Sequence, residues 1–184
     1  MAKGIIEKQS GGLFENEIEM QGKYATMARF LRDEIGLFST FREVYVTGAI
    51  VGYLNGLSEM DDKDDKVQSA SIFPNELSNR KKDLRFIYRT IMLLKDEPNY
   101  TIDDYKNRAF RDDSEENADL IRENMQIFNS YACGGVEYLY RLFQDCDSPE
   151  KTVDALYEYI HKFCIDTGVL EGGDELPDFN PIFD

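Results

Sequence analysis

The sequence has 184 residues, of which 42% are hydrophobic and 31% are charged, and its 36 acidic and 21 basic side chains give a net charge of −15. This charge repels nucleic acid and anionic lipid, so it argues against direct binding of nucleic acid. No apolar run approaches the ~20 residues of a membrane-spanning helix. The three cysteines, Cys133, Cys146 and Cys164, are an odd number, which argues against a disulfide framework. We therefore expect a cytoplasmic protein with reduced thiols.

The N-terminal part of the chain predicts a flexible segment followed by a helix. Glycine and serine in the first dozen residues predict a flexible N-terminus over residues 1–15. From Glu17 to Ile35, apolar residues recur at steps of three and four, as in an amphipathic helix. Gly36 follows in the position of a helix C-cap.

The least polar stretch runs from Val44 to Leu57 and contains no formal charge. Thr40 and Glu43 before it fit a capping box, in which each side chain accepts a hydrogen bond from a backbone N–H of the other residue. A strand is the alternative, because the first four residues of the stretch favour β structure. Strict alternation is lacking, however, and the stretch exceeds the usual strand length of about 5–6 residues. We therefore predict a central, buried helix from Phe41.

Two glycines in this stretch, Gly48 and Gly52, are four residues apart and share one face of the predicted helix. The same spacing in other proteins lets a second helix approach closely. We therefore predict that Gly48 and Gly52 are helix–helix contacts.

Residues 57–79 predict a long, acidic connection. The letters EMDDKDDK suggest calcium, but the sixth and twelfth positions of an EF-hand loop lack the required glycine and glutamate. Pro74 and the neighbouring asparagines and serines favour turns. A solvated acidic loop is the better interpretation, and loops of this length are often functional.

The next predicted helix has Leu84, Ile87, Ile91 and Leu94 on one face and ends before Pro98. The same segment contains the basic cluster of the chain, which is a candidate partner-binding site. It consists of Lys81, Lys82, Arg85 and Arg89. Such a cluster could bind phosphate, an acidic partner or the acidic loop at 61–65, and the alternative is a solvated helix face.

The C-terminal half predicts three more helices. Thr101 resembles a cap for a short helix to about Phe110, and Asp113 or Ser114 for a longer one. Two adjacent glycines at 134 and 135 predict a kink or a break in the longer helix. Ser148 followed by proline is a strong helix start, and residues 171–184 predict an acidic tail.

The sequence contains no constellation that predicts catalysis. Its single histidine, His161, lies on a helix near Cys164, and most such pairs are packing residues. Glu158 and His161 have the spacing of a di-iron ligand pair, but a second pair is missing. Nucleotide-binding loops are absent as well. We predict no catalytic residue, no cofactor and no metal, and the roles of His161 and the cysteines stay open.

Part of the chain resembles a known family. Phe38, Thr40, Phe41, Arg42, Glu43, Ala49, Gly52 and Tyr53 form a pattern that precedes and enters the apolar helix. Over roughly residues 37–95, this pattern resembles the small accessory proteins associated with bacterial DNA-phosphorothioation (Dnd) defence systems. The resemblance implies an accessory role in a complex and no catalytic residue.

We therefore predict an all-α, single-domain bundle of six or seven helices over residues 1–170, with a central apolar helix, a long acidic loop and loose termini. The predicted function is that of a non-enzymatic interaction or accessory subunit, in a prokaryotic defence or DNA-processing complex. Its partner would be a protein with a basic surface, and the chain could also form homo-oligomers. The alternative function is an acidic inhibitor or DNA mimic that blocks a basic cleft.

Overall fold

A computed structural model describes residues 5–7, 12–59, 69–111 and 113–171. This part of the chain contains seven α-helices and a small antiparallel sheet, which confirms the predicted, mainly helical fold. The helices are α1 (Gly22–Arg29), α2 (Phe41–Leu54), α3 (Pro74–Ser78), α4 (Lys81–Leu94), α5 (Ile102–Lys106), α6 (Ala118–Phe143) and α7 (Pro149–Asp166). The strands are β1 (Ile5–Glu7), β2 (Ile18–Gln21) and β3 (Ser69–Ile72). Within the described ranges, no helix is both long and apolar enough to cross a membrane.

The chain divides into two compact units, Met1–Arg141 and Leu142–Asp184. In the second unit, α7 begins as predicted, because the Ser148 hydroxyl accepts a hydrogen bond from the backbone N–H of Lys151 at 3.3 Å. Proline at the first helical position reinforces this start. The acidic tail predicted over 171–184 lies, apart from Glu171, outside the described residues.

The sheet corrects three predictions for the first unit. We predicted a helix from Glu17, a flexible segment over 1–15 and a loop over 57–79. The structure instead has β2 after Glu17, β1 within the first segment and β3 within the last, and β2 pairs with both in antiparallel register. Alternating burial along β2 turns Ile18 and Met20 into the core. Leu13 and Phe14, in the segment predicted to be flexible, are also fully buried. These strands have three or four residues, which is too short for an alternating pattern to stand out from the sequence.

The predicted connection over 57–79 is ordered at its end, where β3 and α3 form. The acidic residues at 60–68 lie outside the described residues. At the start of α1, Gly22 has a φ of 57°, a conformation that glycine adopts without steric cost. Residues 30–34 extend α1 as a π-helix, and Gly36, at φ 71°, follows its end.

The central helix α2 begins at Phe41, as predicted, with the predicted capping box. The backbone N–H of Glu43 donates to Thr40 Oγ1 at 3.2 Å, and the N–H of Thr40 donates to Glu43 Oε2 at 3.1 Å. Buried Tyr45 donates its hydroxyl to Asn129 Oδ1 of α6 at 2.6 Å. The N-terminal part of the apolar stretch is thus buried by helix–helix packing, with the Tyr45 hydroxyl satisfied, whereas residues 54–56 are exposed.

The glycines of α2 lie against α6. A Cβ added to Gly48 would be 2.8 Å from the carbonyl oxygen of Ala132, and one added to Gly52 would overlap the carbonyl oxygen of Tyr131. From the other side, a Cβ on Gly135 would overlap the carbonyl oxygen of Gly48. The two backbones are therefore in direct contact, as small residues at a helix crossing permit.

This crossing explains why the helix continues through residues 133–135, where a kink or a break was predicted; the predicted break is wrong. The structure has one uninterrupted α-helix from Ala118 to Phe143. Gly134 and Gly135 are buried, and a Cβ on Gly134 would be 2.5 Å from the carbonyl oxygen of Leu57. The low helix propensity of glycine is thus outweighed by contacts that only glycine permits.

Helix α4 buries Leu84 and Ile91 as predicted, but Leu94 is 60% exposed. Tyr88 and Met92 are the other buried members of the helix.

α5 has the predicted cap, since the Thr101 hydroxyl accepts from the N–H of Asp104 at 3.3 Å. The short helix predicted to reach Phe110 changes to a π-helix over 107–111. Ser114 then precedes a 3-10 turn, and the longer helix α6 begins only at Ala118.

The π-helical segment places one arginine, Arg108, in the interior at 3% exposure. Its guanidinium donates to the carbonyl oxygen of Met92 at 2.7 and 3.1 Å and to that of Lys95 at 2.8 Å. These are carbonyls at the C-terminal end of α4, which lack partners within the helix. Arg108 therefore caps the C-terminal end of α4 and connects α4 to the π-helical segment that follows α5.

Candidate interaction surface

Two members of the predicted basic cluster form ion pairs inside the fold. Lys81 donates a hydrogen bond to the carboxylate of Glu15. This bond has the largest effect on the pKa of Glu15 and, together with a hydrogen bond from the backbone N–H of Gly12, lowers it below its ordinary value. Arg89 donates from Nε and Nη2 to Asp113 Oδ2 at 3.1 and 2.6 Å. Because the Asp113 side chain is only 7% exposed, loss of Arg89 would leave a buried carboxylate without its charged partner.

The other two members, Lys82 and Arg85, are three residues apart on α4 and differ in exposure. Arg85 is half-buried, and its Nε has no hydrogen-bond acceptor among the described residues. Lys82 is exposed. Glu15 and Asp113 therefore neutralise part of the charge of the four basic residues.

A different surface of α4 combines exposed aromatic, aliphatic and basic side chains. Phe86 is 72% exposed, Leu93 is 36% exposed, and both lie three or four residues from Arg89, so the three side chains are neighbours on the helix. Phe110 is half-exposed and lies over the Arg89 guanidinium at 5.2 Å. We call this surface the outer face of α4 and define it as Lys82, Phe86, Arg89, Leu93 and Phe110.

The prediction from sequence missed the apolar members of the outer face. It considered only the apolar residues that fit the buried stripe through Leu84, and Phe86 and Leu93 do not fit that stripe. Apolar residues outside the stripe of an amphipathic helix are the signal that could have found them. Aromatic side chains and arginine are enriched at protein–protein interfaces, so the composition of the outer face is that of an interface.

The chemistry of the outer face suits acidic and apolar groups of a partner. Arg89 keeps its guanidinium 32% exposed while it binds Asp113, and Lys82 is exposed beside Phe86. Exposed apolar side chains are common on protein surfaces, and it is their grouping around a basic residue that distinguishes this face. Phe86, Leu93 and Phe110 could be covered by apolar side chains, while Lys82 and Arg89 attract carboxylates.

The exposed carboxylates bear on the DNA-mimic alternative. Several of them pair with a basic residue of the same segment: Asp103 with Lys106 at 3.5 Å, Asp119 with Arg122 at 3.0 Å and Asp147 with Lys151 at 2.8 Å. Such pairs interrupt any continuous row of negative charge. The alternative stays a prediction, and salt-dependent competition with DNA for a target nuclease is its test.

The single histidine and the three cysteines have different surroundings in the structure. His161 is stacked on Tyr157 with ring centroids 6.0 Å apart and an interplanar angle of 7°. Cys133 is buried, and Cys146 and Cys164 are half-buried. In the ranges that the structure describes, no three His, Cys, Asp or Glu side chains are grouped so that they could hold a metal ion.

Comparison of the chain with protein-family models found no match, and comparisons with curated proteins and with solved structures found none either. The resemblance to the accessory proteins of DNA-phosphorothioation systems therefore stays an expectation from the sequence.

Proposed function

We propose that this protein is a non-enzymatic interaction subunit that binds a partner protein through the outer face of α4. The observation that supports the proposal is the exposure of Phe86, Leu93 and Phe110 around Arg89. The partner segment presents acidic and apolar side chains to this face. Elsewhere, the net charge of −15 favours the basic partner surface predicted from the sequence.

The physical reason lies in the cost of exposed apolar area. A Phe or Leu side chain gains about 1.5–3 kcal/mol when it is fully buried rather than exposed to water. At Phe86 that gain is unused in the free chain, because 72% of the residue is in contact with solvent. A partner that covers it would use this gain, and aromatic residues and arginine at the centre of an interface commonly supply most of the binding energy.

The cellular setting that we propose is a prokaryotic defence or DNA-processing complex in the cytoplasm, in which this chain is an accessory subunit. The resemblance of residues 37–95 to accessory proteins of DNA-phosphorothioation systems supports this setting. Binding of a protein partner through α4 does not require it, so the two parts of the proposal are tested separately.

The test is co-purification at native expression level, followed by measurement of the native mass and of the masses of the bound chains. Replacing Phe86 and Leu93 by Asp together should remove the partner. Phe86, at 72% exposed, contributes little to thermal stability, and Leu93, at 36%, contributes more, so the melting temperature of the double variant is measured beside its binding. The matched control is Leu120→Asp, since Leu120 is 41% exposed on α6 and outside the outer face.

Loss of one defined protein in the double variant and its retention in the control would support the proposal. A wild-type chain that is only monomeric and alone would contradict it, as would equal binding by the double variant. If the associated chain is a second copy of this protein, the interaction is the homo-oligomer predicted from the sequence. Identification of the associated chain as a defence or DNA-processing protein then tests the cellular setting.

A further inference from the structure

A groove of about 270 Å³ lies between α2 and the start of α4, away from the outer face. Arg42 comes from the first turn of α2, and Arg80 is the N-cap residue of α4. Val46, Leu84 and Ile87 form the apolar part of the lining. We propose that this groove binds a carboxylate that carries a short, branched apolar group, a ligand that the proposed interaction function does not require.

Arg42 is the main reason to expect an anion. Its side chain is only 18% exposed, yet its contacts are long: Nη1 is 3.4 Å from the carbonyl oxygen of Glu76, and Nη2 is 3.5 Å from Glu43 Oε1. Strong hydrogen bonds from a guanidinium to a carboxylate are about 2.7–2.9 Å long. Because the contacts of Arg42 with described residues are this long, its guanidinium can donate stronger hydrogen bonds to a carboxylate in the groove.

Two acidic side chains, Glu43 and Asp83, also line the groove and oppose an anion. Glu43 is occupied at the start of α2, because its Oε2 accepts from the N–H groups of Ser39 at 2.9 Å and Thr40 at 3.1 Å. Asp83 is 3.7 Å from Arg80 Nη1, a distance that leaves the Arg80 guanidinium able to bind a closer acceptor.

The position of the groove relative to the helices also favours negative charge. Its lining comes from the N-terminal halves of α2 and α4, and the N-terminal end of a helix carries partial positive charge. The start of α4 has no side-chain cap, and Asp83 in its first turn offsets part of this partial charge. The two guanidiniums supply the hydrogen-bond donors that a carboxylate needs.

The size and the apolar lining define the rest of the ligand. Sites for drug-sized molecules are commonly about 300–1,000 Å³, so a groove of about 270 Å³ suits a fragment the size of a leucine side chain with its carboxylate. Val46, Leu84 and Ile87 would contact the branched carbons. Such a ligand is either a free branched-chain acid or the carboxyl terminus of a peptide that ends in a leucine-like residue.

The test is a nuclear magnetic resonance titration of the full chain with four probes: isocaproate, isocaproamide, N-acetyl-leucine and inorganic phosphate. We expect saturable shifts of the backbone amides of Val46 and Ile87 with isocaproate, and binding of the uncharged amide that is about tenfold or more weaker. Tighter binding of N-acetyl-leucine than of isocaproate assigns the site to a peptide terminus, and the reverse order assigns it to a free acid.

Equal binding of isocaproamide would overturn the proposal, because it would show that Arg42 and Arg80 do not recognise the charge. Equal binding of phosphate would also overturn it, because the apolar lining would then contribute nothing. Absence of saturable shifts with both isocaproate and N-acetyl-leucine has the same consequence.

The variants are Arg42→Gln and the matched control Arg122→Gln, an exposed arginine of α6 that pairs with Asp119. Arg42→Gln should weaken isocaproate binding about tenfold, and the control should bind as the wild type does. If Arg42→Gln does not fold, Arg80→Gln takes its place, because the Arg80 side chain is 63% exposed. Unchanged binding in the folded arginine variants of the groove would contradict the proposal.

Discussion

At the scale of single residues, Gly52 shows how a missing side chain can stabilise a fold. Replacement of Gly by Ala within an exposed helix stabilises it by about 1 kcal/mol. In this chain the added Cβ of Gly52→Ala would overlap the carbonyl oxygen of Tyr131 on α6. We expect the opposite sign, a loss of about 1–3 kcal/mol in the free energy of unfolding, because the two helices must separate.

Urea denaturation of Gly52→Ala and of Gln126→Ala checks this expectation. Gln126 is exposed on α6, and its replacement should change the free energy of unfolding by no more than about 0.5 kcal/mol. A Gly52→Ala variant as stable as the wild type, or more stable, would mean that α2 and α6 can separate slightly at no cost.

Glu137 predicts a specific dependence of stability on pH. Its carboxylate is 15% exposed and accepts from Lys23 Nζ at 2.9 Å and from the Arg141 guanidinium. Burial alone would raise the pKa of Glu137, but the hydrogen bond and charge of Lys23, together with Arg141, outweigh it and lower the pKa below the ordinary 4.5. Because the folded pKa is the lower one, the stabilisation is present above pH 4.5 and is lost as the pH falls through the folded pKa.

We therefore expect Glu137→Gln to destabilise the protein near neutral pH and to approach the stability of the wild type in acid. The measurement is the free energy of unfolding of both proteins at several pH values. Glu123→Gln serves as control, because Glu123 is exposed on the same helix. A difference between Glu137→Gln and the wild type that stays constant down to acid pH would show that the ion pairs do not stabilise the fold.

At the scale of secondary structure, the N-terminal segment before β2 is part of the core. Phe14 is fully buried and contacts the rings of Tyr88 at 6.1 Å and Phe128 at 5.8 Å, both edge to face. Phe14→Ala should therefore lower the free energy of unfolding by about 3–5 kcal/mol. Phe73→Ala is the matched control, since Phe73 is 55% exposed, and it should cost about 0.5 kcal/mol or less.

Thermal and urea denaturation of these two variants separates the alternatives. A flexible N-terminus, as the sequence alone indicated, would give two variants of similar stability. A large loss at Phe14 together with a small one at Phe73 is what the ring contacts predict.

The helices that could be predicted are those with local signals. α2, α5 and α7 start after Thr40, Thr101 and Ser148. Each of these side chains accepts a hydrogen bond from the backbone N–H three residues later, so the signal is local and visible in the sequence. Strands β2 and β3 have no such signal, because their pairing joins residues about fifty positions apart. The continuity of α6 through Gly135 likewise depends on contact with a distant helix.

The same reason limits what could be predicted of the interaction surface. The basic residues of α4 are evident in the sequence, but two of their acidic partners are not. Glu15 is 66 residues from Lys81, and Asp113 is 24 residues from Arg89. Without these ion pairs, all four basic residues look equally available to a partner. Only their three-dimensional contacts separate those that hold the fold from those that face outward.

At the scale of the whole molecule, the net charge of −15 should make stability depend on salt. Like charges repel one another more strongly in the compact state than in the unfolded chain, and salt screens this repulsion. Exposed ion pairs such as that between Lys106 and Asp103 oppose the trend, but each contributes only about 0–1 kcal/mol. We expect repulsion to dominate, so the melting temperature should rise as NaCl increases from about 0.02 M to about 0.5 M.

A variant with fewer carboxylates separates this effect from other actions of salt on proteins. Glu34, Glu123 and Glu158 are exposed, and their joint replacement by Gln changes the net charge from −15 to −12. Calorimetry should show a higher melting temperature than that of the wild type at low salt and a smaller rise when salt is added. A melting temperature of the wild-type protein that falls with salt would contradict the expectation, because attraction between paired charges would then exceed the repulsion of the excess carboxylates.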